Sequence, residues 1–480
     1  MRRSLLVAVA LALTACASGA AVTVGDAPSS TAGPATTIAA AGGDGIGDAL
    51  FPTLGNPGID VERYDLDLGY DPATDRLDAT ATIALRATAR LASFQLDLAG
   101  LTVASVRVEG RDATFRQRGD ELVVTPATPI ERGAVAPVVV RYGGIPRPSG
   151  APFTEQTGWV HAGDESYVLA EPDGARRWFP ANDHPSDKAR FSFRITVPDG
   201  YTAAANGRLL GSETSAGRTT WRWEARDPMA TYLATVVIGR LRITDGGSVG
   251  GVALRDALPA AVPAATAERL AERHRAQLAF FAERFGPYPF EAYGVVGAPS
   301  PPYLALETQT LSLFPVSMLT AGPDAIDDIL AHELAHQWFG NAVSPARWSD
   351  IWLNEGFATY AEWLWSARSD PKELERRAER ARLEAGGLRK RYGAVDAPAV
   401  QDLFSPNVYD GGAVVLHALR NEVGDDTFFA ILRTWVSERA GGSATTDDFI
   451  THASTRVGRD LRAFLQRWLR APTLPAYPAR

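Results

Sequence analysis

The chain changes its hydrophobic period once, near residue 245, and that change decides its architecture. From about Leu50 to Thr244 polar and apolar residues mostly alternate, as in Val61-Glu62-Arg63-Tyr64-Asp65-Leu66-Asp67-Leu68, Ala79 to Leu85 and Phe191 to Val197. Residues two apart share one face of a strand, so this alternation fits strands buried on one side. Turn signals separate the runs: Asp71-Pro72, Glu109-Gly110, Gly143-Gly144 and Pro198-Asp199-Gly200. The pattern predicts a largely antiparallel β domain over residues 48–244, built as a sheet or sandwich. After Asp245 the spacing is helical. Ala264 to Phe285 carries apolar residues at helical intervals and stops at Gly286-Pro287. Pro323 and Asp324 open the next helix, with Asp327 and Asp328 in its first turns at the positive end of the dipole and a stop near Gly340. A further helix starts near Asp350. Lys372 to Arg391 is densely charged, with Glu373 and Arg377 at a favourable four-residue spacing. A solvated helix face explains that charge more simply than contact with an anionic membrane. The fold class expected is therefore α+β and multidomain, with a mainly helical second domain over residues 245–480 and no internal repeat.

The N-terminus reads as an address. Arg2 and Arg3 precede an apolar stretch, Leu5 to Leu13, that is too short to span a bilayer. Leu13-Thr14-Ala15-Cys16 resembles the lipobox of bacterial lipoproteins, which implies a signal peptide over residues 1–16 and acylation of Cys16. The mature protein is then expected to be exported and lipid-anchored on the extracytoplasmic side of the cell membrane, or secreted if Cys16 stays unmodified. Cys16 is the only cysteine, which excludes intramolecular disulfides. Residues 17–47 are rich in small residues and nearly devoid of large apolar ones, so they cannot offset their chain entropy and are expected to form a disordered tether. Gly42-Gly43-Asp44-Gly45-Ile46-Gly47 follows no strand and lacks the Lys-Ser/Thr ending of a phosphate loop. A net charge of −8 with a pI near 5.5 argues against nucleic acid as a partner. No later apolar run is long and uncharged enough to cross a membrane, so a lipid at Cys16 is the one membrane contact expected.

The chemistry lies in His332-Glu333-Leu334-Ala335-His336, followed after a gap by Trp352-Leu353-Asn354-Glu355-Gly356. Helical residues four apart are rotated by only about 40°, so the two imidazoles project from one face. They can take two corners of a tetrahedral Zn²⁺ site, with Glu355 from the following helix as third ligand and the fourth corner open to water. Glu333, about 100° round the helix from His332, lies beside that water rather than on the metal. Two unrelated histidines on an amphipathic helix are the bland alternative. With seven histidines in 480 residues, the full pattern including Glu355 is a rare coincidence. The layout is that of a zinc hydrolase.

These residues, extended through Gln337-Trp338-Phe339-Gly340-Asn341 and from Asp350 to Ala358, resemble the aminopeptidase N family of zinc metallopeptidases, which also contains the bifunctional leukotriene epoxide hydrolase. Glu171-Pro172-Asp173-Gly174-Ala175-Arg176, Trp178-Phe179-Pro180 and Asp183-His184-Pro185 match the run leading into that family's domain interface. Zinc endopeptidases with a similar helix lack this run. The resemblance spans about Phe51 to Tyr477. It implies a thermolysin-like catalytic domain and a zinc aminopeptidase acting on peptides with a free N-terminus; a monomer is expected. Leu304-Ala305-Leu306-Glu307-Thr308 stands where the family has Gly-x-Met-Glu-Asn. The likeness implies that this segment, Ala305 included, binds substrate and that Glu307 receives the α-amine, with Leu304 and Thr308 replacing the glycine and asparagine. Tyr409-Asp410-Gly411-Gly412-Ala413 stands for Tyr-x-Lys-Gly-Ala; Tyr409 is implied to stabilise the oxyanion, and Gly411 replaces the lysine. Leu169 replaces a frequent glutamine near the first side-chain pocket. The chain ends soon after the catalytic half, so the family's frequent C-terminal helical-repeat domain is not expected. Three alternatives stay open: a zinc endopeptidase, an epoxide hydrolase on the same scaffold, and a surface lipoprotein that binds peptides without turning them over.

Overall fold

The computed structural model describes residues 43–151, 154–301 and 304–479. Cys16, the signal segment and residues 17–42 of the expected tether lie outside them. The end of that expected tether is packed rather than free. Gln95 donates to Gly43 O at 3.2 Å, Arg118 pairs with Asp44, and the Ile46 N–H donates to Leu54 O at 3.1 Å. Small residues suggested disorder up to Gly47, but the Asp44 carboxylate, the Gly43 carbonyl and the Ile46 N–H hold this end in place.

The alternating half forms the strands its pattern predicts. An eight-stranded sheet runs, in spatial order, through Arg208–Ser215, Arg218–Ala230, Lys188–Pro198, Ile59–Asp71, Arg76–Ala87, Val135–Gly144, Thr102–Val108 and Arg111–Asp112. Every neighbouring pair is antiparallel except Ile59–Asp71 beside Lys188–Pro198, where Tyr64 faces Phe191 in parallel register. The expectation of an antiparallel domain is corrected at this pair. A parallel partner needs a long connection, and here the chain passes through strands of two further sheets before returning. Along Ile59–Asp71 the buried residues are Ile59 and Val61, then Tyr64, Leu66, Leu68 and Tyr70. The phase changes because a bulge between Val61 and Arg63 inserts an extra residue. A five-stranded sheet, ordered Thr202–Ala205, Val236–Gly239, Glu165–Leu169, Thr154–Ala162 and Ser149–Ala151, shares the core. Tyr64 stacks on Phe191 at 4.9 Å, and Tyr70 lies 4.9 Å from Trp159.

The boundary expected at residue 245 falls inside a strand. Leu241–Val249 pairs with Val252–Pro259, which runs parallel to Val295–Ala298, itself parallel to Ser312–Pro315. This small sheet belongs to the second half, so helical texture begins only after Pro259. The helices that follow are α1 Ala264–Phe285, α2 Val316–Ala321, α3 Asp327–Ala335, α4 Trp352–Ser366, α5 Pro371–Tyr392, α6 Pro406–Val423, α7 Asp425–Arg439, α8 Thr446–Val457 and α9 Arg462–Arg470. None of the described helices is long and apolar enough to cross a membrane.

Two polar clasps join the halves. Lys188, first residue of its strand, donates from Nζ to the carbonyls of Asn341 at 2.7 Å, Ala342 at 3.1 Å and Gly442 at 3.3 Å. Asp48 accepts from the Trp348 N–H at 2.8 Å, while His184 Nε2 lies 3.2 Å from it. Burial opposes the Asp48 charge, but these donors, with the N–H groups of Leu50 and Phe51, outweigh it and hold the carboxyl down at about 2.

Within the β half, Glu121 faces Asp97 across a strand pair, both of them buried. Burial pushes the Glu121 carboxyl up to about 7, against the opposing pull of Asn56 and the arginines Arg176 and Arg118. From its ordinary 4.5 to about 7 the folded state therefore holds a proton that the unfolded state has lost. The stability conferred by the neutral form is lost progressively as pH rises through that window. Glu121→Gln should remove this slope. Its stability relative to the parent should increase by roughly 2 kcal/mol between pH 5 and pH 8, read from denaturant midpoints at both pH values. A constant difference at the two pH values would count against a buried, protonated Glu121.

Candidate active site and metal centre

The histidine helix is shorter than its sequence suggests. Pro323 and Asp324 lie in the turn before it, α3 opens at Asp327, and it closes at Ala335 instead of running to Gly340. Asp327 and Asp328 do occupy its first turn. His336 follows the last helical residue but keeps helical angles (φ −55°, ψ −27°), and its N–H donates to His332 O at 3.2 Å. The four-residue geometry survives, and the two Nε2 atoms face each other at 3.1 Å. Glu355, in the first turn of α4, places Oε2 3.4 Å from each of them.

The three atoms make a triangle with edges of 3.1, 3.4 and 3.4 Å. Donors at three corners of a tetrahedron, about 2.0–2.1 Å from a central zinc ion, are roughly 3.3–3.4 Å apart. Glu355 Oε2 is buried and makes no hydrogen bond. The donor set therefore fits Zn²⁺, and His332, His336 and Glu355 could hold it. The orientation of each imidazole supports this. His336 Nδ1 lies 3.1 Å from Phe339 O, so Nδ1–H donates there and the Nε2 lone pair is left for a metal. His332 Nδ1 lies 3.5 Å from Glu362, which forms an ion pair with Arg377 on α5. Arg377 is thus used across helices. The pairing with Glu373 expected from spacing is made instead by Arg376, at 2.7 Å. Burial works against the Glu355 charge, but the two imidazoles outweigh it and hold the carboxyl down at about 2.

Helices α4 and α6 approach each other through glycine. A Cβ on Gly356 would come within 2.7 Å of the Gly412 Cα, so neither position has room for a side chain. This contact carries Tyr409, in the first turns of α6, to the metal-binding cluster. Its ring stacks on His332 with centroids 5.9 Å apart and planes 13° from parallel. Burial, then the carboxylates of Glu355, Glu171 and Glu307, push the phenol well above its ordinary range, so it remains a proton donor at neutral pH.

Glu307 projects from a segment whose residue Leu306 exchanges backbone hydrogen bonds with Leu313. The Glu307 carbonyl accepts from Asn341 Nδ2 at 2.7 Å and Gln337 Nε2 at 3.1 Å. The residues just after His336 therefore fix Glu307 relative to the histidines. Thr308, replacing asparagine, is buried and closes its own turn by donating from Oγ1 to Leu311 O.

Ala305, Glu307, His332, Glu333, His336, Glu355 and Tyr409 all line one cavity of about 460 Å³, together with Leu169, Leu304 and Phe404. Every site residue expected within the described part of the chain is thus brought together. The sequence reading missed two that matter. Glu171 lines the same cavity, and one carboxylate oxygen each from Glu171, Glu307 and Glu355 lie within 4.8 Å of one another. Its signal was a carboxylate directly after the buried run Tyr167 to Ala170. Glu362 is the other; it lies seven residues after Glu355, hence on the same face of α4. Glu171 Oε1 and Glu307 Oε1 are buried without a hydrogen-bond partner. Burial pushes both carboxyls up, and their mutual repulsion adds to the effect on Glu171. Burial likewise pushes Glu333 up to about 7, with His332 and His336 opposing. Among the described residues, no lysine or arginine lines the cavity.

Residues 60–233 match the Peptidase M1 N-terminal domain, and residues 270–468 match the Peptidase family M1 domain. The chain is similar to Aminopeptidase M1 of Arabidopsis thaliana, at 25% identity over 90% of this chain and 52% of that protein. It spans about half the length of the curated relatives it matches. A crystal structure of a mutant M1 zinc metallopeptidase from Deinococcus radiodurans superimposes with a TM-score of 0.82 at 33% identity, covering 91% of this chain and 100% of that one. The same enzyme bound to a Tyr-Ser-Ala substrate gives 0.81 at 33% identity, over 90% and 99% of the two chains. The chain belongs to peptidase family M1.

Proposed function

We propose that this protein is a zinc-dependent aminopeptidase that removes residues from the free N-terminus of peptides. One observation carries the reading: four buried glutamates, Glu171, Glu307, Glu333 and Glu355, share a cavity that, among the described residues, no lysine or arginine lines. Such a cavity needs cationic contents. A metal ion on His332, His336 and Glu355, with a substrate ammonium on Glu171 and Glu307, supplies them. A blocked N-terminus would leave Glu171 and Glu307 unpaired, which disfavours an endopeptidase.

When bound, Zn²⁺ supplies Lewis acidity and lets a water molecule ionise near neutral pH. The residues of the chain do the rest. Glu171 and Glu307 accept charge-assisted hydrogen bonds from the α-ammonium and so place the first peptide bond, and no later one, beside Glu333. Glu333 takes the proton of the attacking water on its carboxylate and delivers it to the departing amine. The Tyr409 hydroxyl donates to the carbonyl oxygen as that oxygen gains negative charge. Glu362 and Phe339 O hold the two imidazoles in orientation.

The test is fluorophore release from a panel of aminoacyl amides, each paired with its N-acetylated form, with and without chelator. Chelator-sensitive cleavage of the free-amine forms alone is expected. Cleavage of both forms would mean an endopeptidase, and none by zinc-loaded protein would mean binding without turnover. Export with a lipid anchor at Cys16 belongs to the same proposal, supported by Arg2, Arg3 and the apolar run before the cysteine. Cys16→Ala should move the protein from a detergent-extracted membrane fraction to a soluble or uncleaved form, whereas unchanged fractionation would count against the anchor.

A further inference from the structure

Behind the first turns of α6 lies a buried cation. Arg389, in the last turn of α5, is 4% exposed. Its Nη1 donates to Asn407 Oδ1 at 2.7 Å, and its Nη2 donates to Trp468 O, on α9, at 2.6 Å. Asn407 in turn donates to Gly393 O, just past the end of α5, at 3.1 Å. Gly411 leaves the space that this guanidinium uses: a Cβ there would lie 3.0 Å from Arg389 Nη1 and 3.0 Å from Asn407 Oδ1. Asn407 and Gly411 are four residues apart and share one face of α6. Tyr409 is two residues from each, about 200° round, and so presents the opposite face to the cavity. Burial lowers the guanidinium only to about 10, so it is charged at neutral pH.

We propose that Arg389 is a positioning residue for Tyr409: seated behind the first turns of α6, its guanidinium ties them to α5 and α9 and so keeps the phenol on the front face stacked on His332. The inference rests on Tyr409 acting as the oxyanion donor. An arginine in this place has more than a packing role, because its donors reach one side chain of α6 and one carbonyl of α9 at once, fixing a helix that a glycine pair lets slide close to α4. Loss of the tie should misplace the hydroxyl without disturbing the metal ligands, which sit on α4, on α3 and just past the end of α3, or the ammonium acceptors, which lie outside both α5 and α6.

The experiment is a double-mutant cycle on the zinc-loaded full chain, with Tyr409→Phe, Arg389→Met and their combination. Metal content, melting temperature, kcat and KM are measured for each on a free-amine substrate. Tyr409→Phe should lower kcat by roughly 10²–10³-fold. Arg389→Met should lower kcat by roughly ten- to a hundredfold, with KM within about twofold and zinc retained. In the Tyr409→Phe background the same substitution should cost less than about twofold, because the group it positions is already gone. Arg389→Lys, which keeps the charge and one of the two contacts, should recover part of the loss. If Arg389→Met does not fold, Arg389→Lys carries the same cycle with smaller factors. Unchanged kcat in the folded variant, or equal losses in both backgrounds, would overturn the role of Arg389 while leaving Tyr409 as the donor. Full activity of Tyr409→Phe would remove the reading of Tyr409 and this proposal with it.

Discussion

Glu333→Gln is expected to bind one zinc ion per chain and to turn over substrate about 10²–10⁴-fold more slowly than the parent, the range that a positioned acid–base group supplies. Glutamine keeps the size and hydrogen-bonding reach of the side chain but cannot accept a proton. The metal should be untouched, because the atoms that converge are His332 Nε2, His336 Nε2 and a Glu355 oxygen, with Glu333 outside that cluster. Burial in the cavity sets Glu333 near 7, and a dication beside it would draw it back down, so at neutral pH it is ready to act as a base. Metal analysis and single-turnover kinetics on the same preparation decide the matter. Zinc loss in this variant would make Glu333 a ligand and require a different base.

The second large effect is expected at the ammonium site. Truncating one partner of a buried charged hydrogen bond costs about 2–5 kcal/mol, so Glu307→Ala should lower kcat/KM on free-amine substrates by at least about thirtyfold. Any residual cleavage of an N-acetylated peptide should be unchanged or improved, because one unpaired buried carboxylate has gone. Glu171→Ala should act in the same direction. The two losses should not add, since both carboxylates face one small space and serve one ammonium. Equal losses on free and acetylated substrates would mean that Glu307 supports the cavity wall rather than reading the amine.

The histidine pair was legible in the sequence because helical spacing alone fixes its relation: four residues bring His332 and His336 together whatever lies around them, while Glu355 joins them from α4. Glu307 and Tyr409 were legible only through family likeness, since each reaches the cavity from a separate element and no local period links them. Glu171 was quoted in a matching run yet not assigned, because its partnership with Glu307 depends on how the two halves meet. Glu362 could have been found from its seven-residue offset from Glu355. Strand alternation gave the β half, but not the parallel pair, which depends on a long-range return of the chain. The replacement at Thr308 found its explanation only in space, in a hydroxyl that closes its own turn, and the one at Gly411 in the room it leaves for Arg389.

The Lys188 clasp makes the protein its own gauge of intactness. The chain has only three lysines, and the other two, Lys372 and Lys390, are exposed on α5. An amine-selective acylating reagent should therefore decorate one helix quickly and leave Lys188 unlabelled while its Nζ is held by three carbonyls across the junction. Peptide mapping of Lys188 acylation over time would then report the rate at which the two halves open, with no substrate and no metal needed for the readout.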